Sequence, residues 1–255
     1  MPGGLPQRIQ ERLDPAQRYG LRLTLFAVAI VLVAVPFSTL TFLVLGKGPL
    51  TRFDGSVANR LNGSVHGRPA VVHALDLVSW LGKPLLLGII ITVAAVFVWL
   101  RGRRRLAAFL VVTVVGGGLI DTAVKVLVNR PRPVVDHPIT TAFGKSFPSG
   151  HSMSATVTYG ALLLVFLPAL RGRRRIAAVS ATVALVLAIG CSRLLLGVHF
   201  VSDVIGGYVL GLAWLIAAVA AFEIWRTEEG RRKTKPLAEG IEPEAARDLK
   251  VESPP

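Results

Sequence analysis

Six long apolar segments constrain the fold of this chain more than any other feature. They lie at about 23–45, 71–100, 106–128, 153–170, 176–197 and 204–224. A helix needs roughly 20 apolar residues to cross a bilayer. With 52% hydrophobic residues and a mean hydropathy of +0.58, the 255-residue chain is too apolar for an ordinary soluble domain. We therefore predict an all-α, polytopic membrane bundle of six transmembrane helices.

The second apolar segment is longer than one span requires, and Gly82-Lys83-Pro84 interrupts it. Proline removes a backbone donor and ends or bends a helix. We expect the membrane-spanning part to begin near Pro84, with residues 70–80 lying at the membrane interface.

The segment between the first two apolar runs has an amphipathic pattern. Phe53, Val57, Leu61 and Val65 recur at helical spacing, and Asp54, Arg60 and Arg68 interrupt them. Two interpretations stay open: a helix in the lipid headgroup layer, or a simple amphipathic connector.

Basic residues cluster on alternate sides of the apolar segments, at 8–22, 101–105, 171–175 and 226–235. Positively charged loops are retained in the cytoplasm, so both termini are predicted to be cytoplasmic. Most of the net charge of +14 then lies on the inner face, where anionic membrane lipids attract it. A nucleic acid partner is not expected, because the basic loops have no groove-reading or stacking partners.

The domain organisation follows from these segments. We predict a cytoplasmic N-terminal segment (1–20), a six-helix transmembrane domain (21–225) and a disordered cytoplasmic tail (226–255). The N-terminal segment lacks a signal-peptide pattern, so the first helix is expected to be retained. Cys191 is the only cysteine, which excludes an internal disulfide and indicates a packing role.

Ionisable residues collect in three clusters, each at the end of an apolar segment predicted to face outward. Ionisable groups at membrane depth are costly and are therefore functional candidates. The clusters are Lys125 with Arg132-Pro133, then Pro148-Ser149-Gly150-His151, then Ser192-Arg193 with His199 and Asp203.

Each cluster alone also has an ordinary structural interpretation. Lys125 is compatible with a snorkelling helix-end lysine, or with an ion pair to Asp121 four residues earlier. Ser149 is a candidate helix N-cap, and the His199–Asp203 spacing suits a capped imidazole. All of these explanations together would require several independent coincidences.

One chemical hypothesis accounts for the three clusters together, namely a site for a phosphate ester. Lys125, Arg132 and Arg193 would neutralise the phosphate oxygens. Backbone N–H groups at Ser149 and Gly150 would add donors at the positive end of a helix. Neither a metal nor another cofactor is required by this set of residues.

Two histidines then divide the chemistry. A neutral imidazole attacks phosphorus better when a carboxylate accepts its other N–H, a role that fits His199 with Asp203. His151 is the candidate general acid, which protonates the departing alkoxide and later deprotonates water.

The three patterns resemble the signature motifs of the type 2 phosphatidic acid phosphatase superfamily, which also includes vanadium haloperoxidases. These patterns are Lys, six residues, Arg-Pro; Pro-Ser-Gly-His; and Ser-Arg, five residues, His, three residues, Asp. The resemblance implies a helical bundle, a phosphohistidine on His199, no obligatory metal, and a lipid phosphate or diphosphate substrate in the bilayer. The halide-oxidising branch is soluble, so six spans indicate the membrane phosphatase branch.

The sequence leaves several lipid phosphates open as the substrate. An outward-facing site in the plasma membrane favours an undecaprenyl-type polyprenyl diphosphate. Phosphatidic acid or phosphatidylglycerol phosphate is the alternative. A lipid or anion transporter, or a sensor that does not hydrolyse, is the remote alternative. Binding alone would not require His151, His199 and Asp203.

Overall fold

The computed structural model describes residues 35, 37–46, 48–140, 142–246 and 248–249. The chain divides into two compact units, 1–42 and 43–255. In the first unit the described residues, 35 and 37–42, are helical. The predicted N-terminal segment and most of the first predicted span, 23–45, lie outside the described residues.

The second unit is built from α-helices, and its described residues contain no strand. Prolines open the first three of these helices, and Ser149 caps the fifth. The long helices are α1 (Pro49–Val65), α2 (Pro69–Trp80), α3 (Pro84–Leu100), α4 (Arg104–Val128), α5 (Gly150–Phe166), α6 (Gly172–Leu195) and α7 (Val201–Glu228).

Helices α4 to α7 are each long and apolar enough to cross a membrane. Helices α2 and α3 meet at a 43° bend and count as a fifth span if taken together. The described residues thus hold four or five candidate spans of the six predicted. The break predicted at Gly82-Lys83-Pro84 is confirmed by this bend. The architecture is that of a multi-pass, all-α membrane protein.

Helix α5 is the centre of the bundle and contacts α3, α4, α6 and α7. Glycines on α7 allow the closest of these approaches. A Cβ atom at Gly207 would lie 2.7 Å from the Ser149 carbonyl oxygen, and one at Gly211 would lie 3.0 Å from Thr156 Cβ. Small residues let helix backbones meet closely in membranes. The packing therefore fixes the start of α5 against the start of α7.

Helix α1 confirms the predicted amphipathic helix but buries a different face. Its buried residues are Asp54, Ala58, Asn62 and Val65, whereas Phe53 is 54% exposed. The reason is its neighbours: α1 packs on α6 and α7, and Asp54 finds polar partners there.

The C-terminal segment differs from the predicted disordered tail. A short helix α8 (Pro236–Glu239) precedes residues that pack under the bundle, and Ile241, Ala245 and Leu249 are buried. The Ile241 backbone N–H donates to the Leu164 carbonyl oxygen at 3.2 Å. The few apolar residues of this segment suffice to anchor it, because they join a hydrophobic cluster formed by the end of α3, the start of α4 and the ends of α5 and α7.

Candidate active site

Arg132 and His199 meet although 67 residues separate them in the chain. Arg132 lies in the segment between α4 and α5, and His199 lies between α6 and α7. The Arg132 Nη1 atom is 3.2 Å from His199 Nε2 and also donates to the Val198 carbonyl oxygen at 2.9 Å. A guanidinium group can only donate, so Nε2 accepts. The proton of the neutral ring therefore belongs on Nδ1.

The Nδ1 atom of His199 faces a buried carboxylate. It lies 3.4 Å from Asp203 Oδ2, which also accepts from the Phe200 backbone N–H at 2.8 Å and from the Ser146 hydroxyl. Burial lowers the pKa of His199 to about 4, although Asp203 opposes this shift. The ring is consequently neutral at pH 7, as a nucleophile requires.

The second motif forms the start of α5. The Ser149 hydroxyl caps the helix by accepting from the Ser152 backbone N–H, and the Ser149 N–H donates to the Asp203 carbonyl oxygen at 2.9 Å. A Cβ atom at Gly150 would lie 2.6 Å from Lys125 Nζ. The missing side chain therefore lets the Lys125 ammonium reach the positive end of the helix.

Lys125 also has a carboxylate partner. Its Nζ atom donates to Asp121 Oδ2 at 2.5 Å, so the ion pair considered from the sequence is present in the structure. The other carboxylate oxygen, Oδ1, is buried and has no hydrogen-bond partner within the described part of the chain. Lys125 thus reaches the site from a fixed position on α4.

Arg193 and His151 complete the pocket. The Arg193 Nη1 atom donates to the Ser79 hydroxyl of α2 at 2.5 Å. Arg193 Nε and His151 Nε2 are buried and have no hydrogen-bond partner among the residues that the structure describes. A Cβ atom at Gly82 would lie 3.1 Å from the His151 ring, so the α2–α3 break forms one wall. Unpaired buried nitrogens beside cations are the expected state of a site that receives an anion.

The structure brings the predicted site residues into one region. His151 interacts electrostatically with Arg193, His199, Lys125 and Arg132, and Ser149 and Gly150 contact Asp203 and Lys125. Among the described residues, no group of three or more His, Cys, Asp or Glu is arranged to hold a metal ion.

Four residues that contact the site were not predicted as site residues from the sequence: Ser79, Ser146, Arg130 and Asp54. Arg130 donates to Asp203 Oδ1 at 2.5 Å and to Asp54 Oδ2 at 2.8 Å. A signal existed for Asp54, because it interrupts an apolar face, and for Arg130, because it lies two residues before Arg132. Nothing in the local sequence marks Ser79 or Ser146.

Comparison with known proteins agrees with the motifs. The family model of the PAP2 superfamily matches residues 105–226, from the start of α4 to the end of α7. The chain is 41% identical over 97 residues to phosphatidylglycerophosphatase B of Bacillus subtilis, covering 37% of this chain and 47% of that protein. It is 34% identical over 119 residues to a lipid A 1-phosphatase of Rhizobium johnstonii, covering 43% and 44%. The chain spans about half the length of these curated relatives.

A solved structure shares the fold. It is described as the first transmembrane PAP2 type phosphatidylglycerolphosphate phosphatase from Bacillus subtilis. The match has a TM-score of 0.68 at 23% identity and covers 80% of this chain and 98% of the other. The three motifs lie within residues 105–226, which match the family model of the PAP2 superfamily, and the solved structure shows that the chain has the same fold.

Proposed function

We propose that this chain is a membrane lipid phosphatase that hydrolyses a phosphomonoester through a phosphohistidine at His199. One observation carries the proposal. The unprotonated Nε2 atom of His199 accepts from the Arg132 guanidinium at 3.2 Å, while Nδ1 faces Asp203. A nucleophilic nitrogen and an anion-binding group are therefore adjacent, as an attack on bound phosphate requires.

Binding relies on cations that converge from three elements. Arg132 and Arg193 offer forked donors, Lys125 adds a point charge, and the N-terminus of α5 adds backbone N–H groups at Ser149 and Gly150. A phosphomonoester carries between one and two negative charges near neutral pH. The pocket supplies enough positive charge to hold it without a metal ion.

The chemistry proceeds in two displacement steps. First, His199 Nε2 forms a bond to phosphorus, the bond from phosphorus to the lipid oxygen breaks, and His151 gives that oxygen a proton. In the second step His151 takes a proton from water, the water oxygen bonds to phosphorus, and the bond to Nε2 breaks. Asp203 stabilises the positive ring of His199 between the steps, because its Oδ2 atom lies 3.4 Å from His199 Nδ1.

The relatives favour the alternative substrate over the first choice made from the sequence. They are named as a phosphatidylglycerophosphatase and as lipid A 1-phosphatases. None of these names supports a polyprenyl diphosphate. We therefore propose a lipid phosphomonoester, with phosphatidylglycerol phosphate as the leading candidate and phosphatidic acid next.

The site is proposed to face the extracytoplasmic side. Helix α4 begins at the basic 101–105 loop and ends near Lys125, so the site and that loop lie at opposite ends of the helix. The basic ends of α3 and α4 and the C-terminal segment meet there through Arg103 with Asp248 and Arg105 with Glu229. Positive loops favour the cytoplasm, and this preference supports an extracytoplasmic site.

Phosphate release by the purified protein in detergent, with a chelator present, tests the proposed function. We expect turnover of phosphatidylglycerol phosphate to exceed that of phosphatidic acid and of polyprenyl diphosphate, and we expect vanadate to inhibit. His199→Ala should abolish release, whereas the exposed His73→Ala on α2 should not. Near-normal turnover by His199→Ala would overturn the nucleophile assignment. Binding without release by the wild type would favour a sensor or transporter.

A further inference from the structure

A second buried carboxylate, Asp54 of α1, lies behind the site and takes no part in the steps above. Its side chain is fully buried. It accepts from Arg130 Nη2 at 2.8 Å, from the Ser202 backbone N–H at 3.2 Å and from the Ser202 hydroxyl. A carboxylate is buried at low cost only when charge and donors compensate it, and both are present here.

Arg130 connects this carboxylate to the catalytic one. It is 5% exposed, and its Nη1 atom donates to Asp203 Oδ1 at 2.5 Å and to the Ser202 hydroxyl at 2.8 Å. Its guanidinium carbon lies 4.1 Å from the centroid of the Phe200 ring, which fixes its plane. Asp54, Arg130, Asp203 and His199 therefore form a continuous line of contacts.

The charges along this line explain why a second carboxylate is useful. The pair of Asp203 and Arg130 alone has no net charge, so it would do little for a positive imidazole. Adding Asp54 gives the group a net charge of −1. His199 becomes positive when Nε2 binds phosphorus, while Arg132 contacts Nε2 and the positive charge of Arg193 also acts on the ring. Only a group with net negative charge compensates that ring.

We propose that Asp54 and Arg130 are positioning residues of the phosphatase site. Arg130 holds Asp203 in the orientation that receives His199 Nδ1–H, and Asp54 cancels the charge of Arg130 so that Asp203 still acts as an anion. This inference rests on the proposed function for the predicted effect on kcat. The predicted effect on the charge of His199 does not depend on catalysis. It also assigns a role to α1, which lies outside the residues matched by the family model.

The proposed electrostatic role and a purely structural role of Asp54 and Arg130 predict different results. Asp54→Asn keeps the shape and removes the negative charge, so the pKa of His199 should fall. Arg130→Gln removes the positive charge and leaves two carboxylates, so the pKa of His199 should rise. Loss of packing alone has no reason to move the His199 pKa in opposite directions.

The first experiment follows the ring of His199 by NMR in protein with labelled histidine, with its signal assigned from His199→Gln. The expected result is a lower midpoint in Asp54→Asn and a higher one in Arg130→Gln. The exposed Asp136→Asn serves as the matched control and should change nothing. Unchanged midpoints, or shifts in the same direction, overturn the proposal. If Asp54→Asn does not fold, the rise in Arg130→Gln alone decides.

The second experiment is kinetic and uses the preferred lipid phosphate. Asp54→Asn should lower kcat by about 10- to 100-fold, the range seen when an outer partner of a functional histidine is lost, with KM nearly unchanged. Asp54→Glu should recover part of this loss. In an Asp203→Asn background the same change should have little further effect. Full additivity, or a change confined to KM, contradicts a role through Asp203. A wild type without phosphatase activity would refute the proposed function. The NMR titration would still test the electrostatic effect of Asp54 and Arg130 on His199.

Discussion

At the scale of single residues, the arrangement around Arg132 shows how the site is ordered before substrate arrives. Its guanidinium donates to the carbonyl oxygens of Val198, Phe143 and Gly144 at 2.9 to 3.2 Å as well as to His199. Backbone acceptors therefore fix the guanidinium group that we propose binds phosphate. Preorganised donors stabilise a developing charge better than mobile ones, because they need no rearrangement during the reaction.

The role of His151 predicts a dependence on the leaving group. A lipid alkoxide needs a proton as it departs, whereas p-nitrophenolate does not. His151→Ala should therefore lower kcat for the lipid substrate by about 100-fold or more, and the loss for p-nitrophenyl phosphate should be much smaller. Steady-state rates on both substrates check this. An equal loss on the two would remove His151 from the role of general acid.

The buried state of His199 predicts how stability depends on pH. Its pKa in the folded protein is about 4, against about 6.5 when it is exposed. The unfolded chain therefore binds a proton first as the pH falls. The stability that neutral His199 contributes is complete above about pH 6.5 and is lost as the pH falls toward 4.

Thermal unfolding in detergent between pH 7.5 and 4.5 measures this effect. The Tm of the wild type should fall more steeply with acidification than that of His199→Gln, which lacks the titrating ring. Parallel curves for the two proteins would mean that His199 titrates normally in the folded state.

At the scale of helices, the contact between α5 and α7 decides whether the motifs meet. Gly207 faces the Ser149 carbonyl oxygen, and the Ser149 N–H in turn binds the Asp203 carbonyl oxygen. A side chain at this position would clash, because the nearest atoms are the Ser149 backbone oxygen, Ser152 Cβ and the Met153 backbone nitrogen. The geometry of the second and third motifs thus depends on one small residue outside both.

Gly207→Ala should consequently destabilise the protein by about 1–3 kcal/mol through overpacking and reduce kcat by displacing Ser149. Gly118→Ala on α4 is the matched control, because a Cβ atom there meets nothing within 4 Å. Tm and turnover of the two variants check the prediction. Equal behaviour of both would show that α5 and α7 tolerate a wider separation.

Helix α1 illustrates the limit of periodicity. The pattern of Phe53, Val57, Leu61 and Val65 correctly predicts a helix, yet Phe53 is exposed and Asp54 is buried. Hydrophobic spacing indicates a face for burial only when the neighbouring surface is apolar. Here Arg130 and Ser202 donate hydrogen bonds to the Asp54 carboxylate, so this polar residue is buried in place of Phe53.

At the scale of the whole molecule, the end opposite the site is closed by ion pairs. Arg226 is fully buried, and its Nη2 atom lies 3.1 Å from Glu244 Oε1, beside the buried Glu242. Arg231 binds Glu242 from the other side at 2.6 Å. These pairs attach the C-terminal segment to α7.

Loss of Arg226 removes the hydrogen bonds of a buried guanidinium to Glu244, while Glu242 keeps Arg231 as its partner. Arg226→Ala should therefore destabilise the protein by about 1.5–3 kcal/mol, the range for hydrogen bonds to charged groups. Arg232→Ala, which breaks the exposed pair with Glu239, should cost less than about 1 kcal/mol. Because both residues lie at the end away from the site, kcat at a temperature below either transition should stay near the wild-type value. A loss of kcat in folded Arg226→Ala would indicate coupling between the two ends.

The orientation that we propose predicts which residues an impermeant thiol reagent can reach. In a Cys191→Ser background, Val134→Cys should be labelled on intact cells, because this residue is 95% exposed at the end that holds the site. Leu237→Cys, 86% exposed at the basic end, should react only after the membrane is opened. The reverse pattern would place the site in the cytoplasm.

The amino-acid sequence was sufficient to predict the four candidate spans α4 to α7 and the residues of the three motifs. Span length follows from the apolar thickness of a bilayer, and the motifs follow from the chemistry of phosphate. Only the tertiary structure decided that Asp54, Arg130 and Ser146 support Asp203, and that Ile241 anchors the C-terminal segment. Such contacts join helices and loops distant in the chain, and a buried polar group takes whichever partner the packing brings within hydrogen-bond distance.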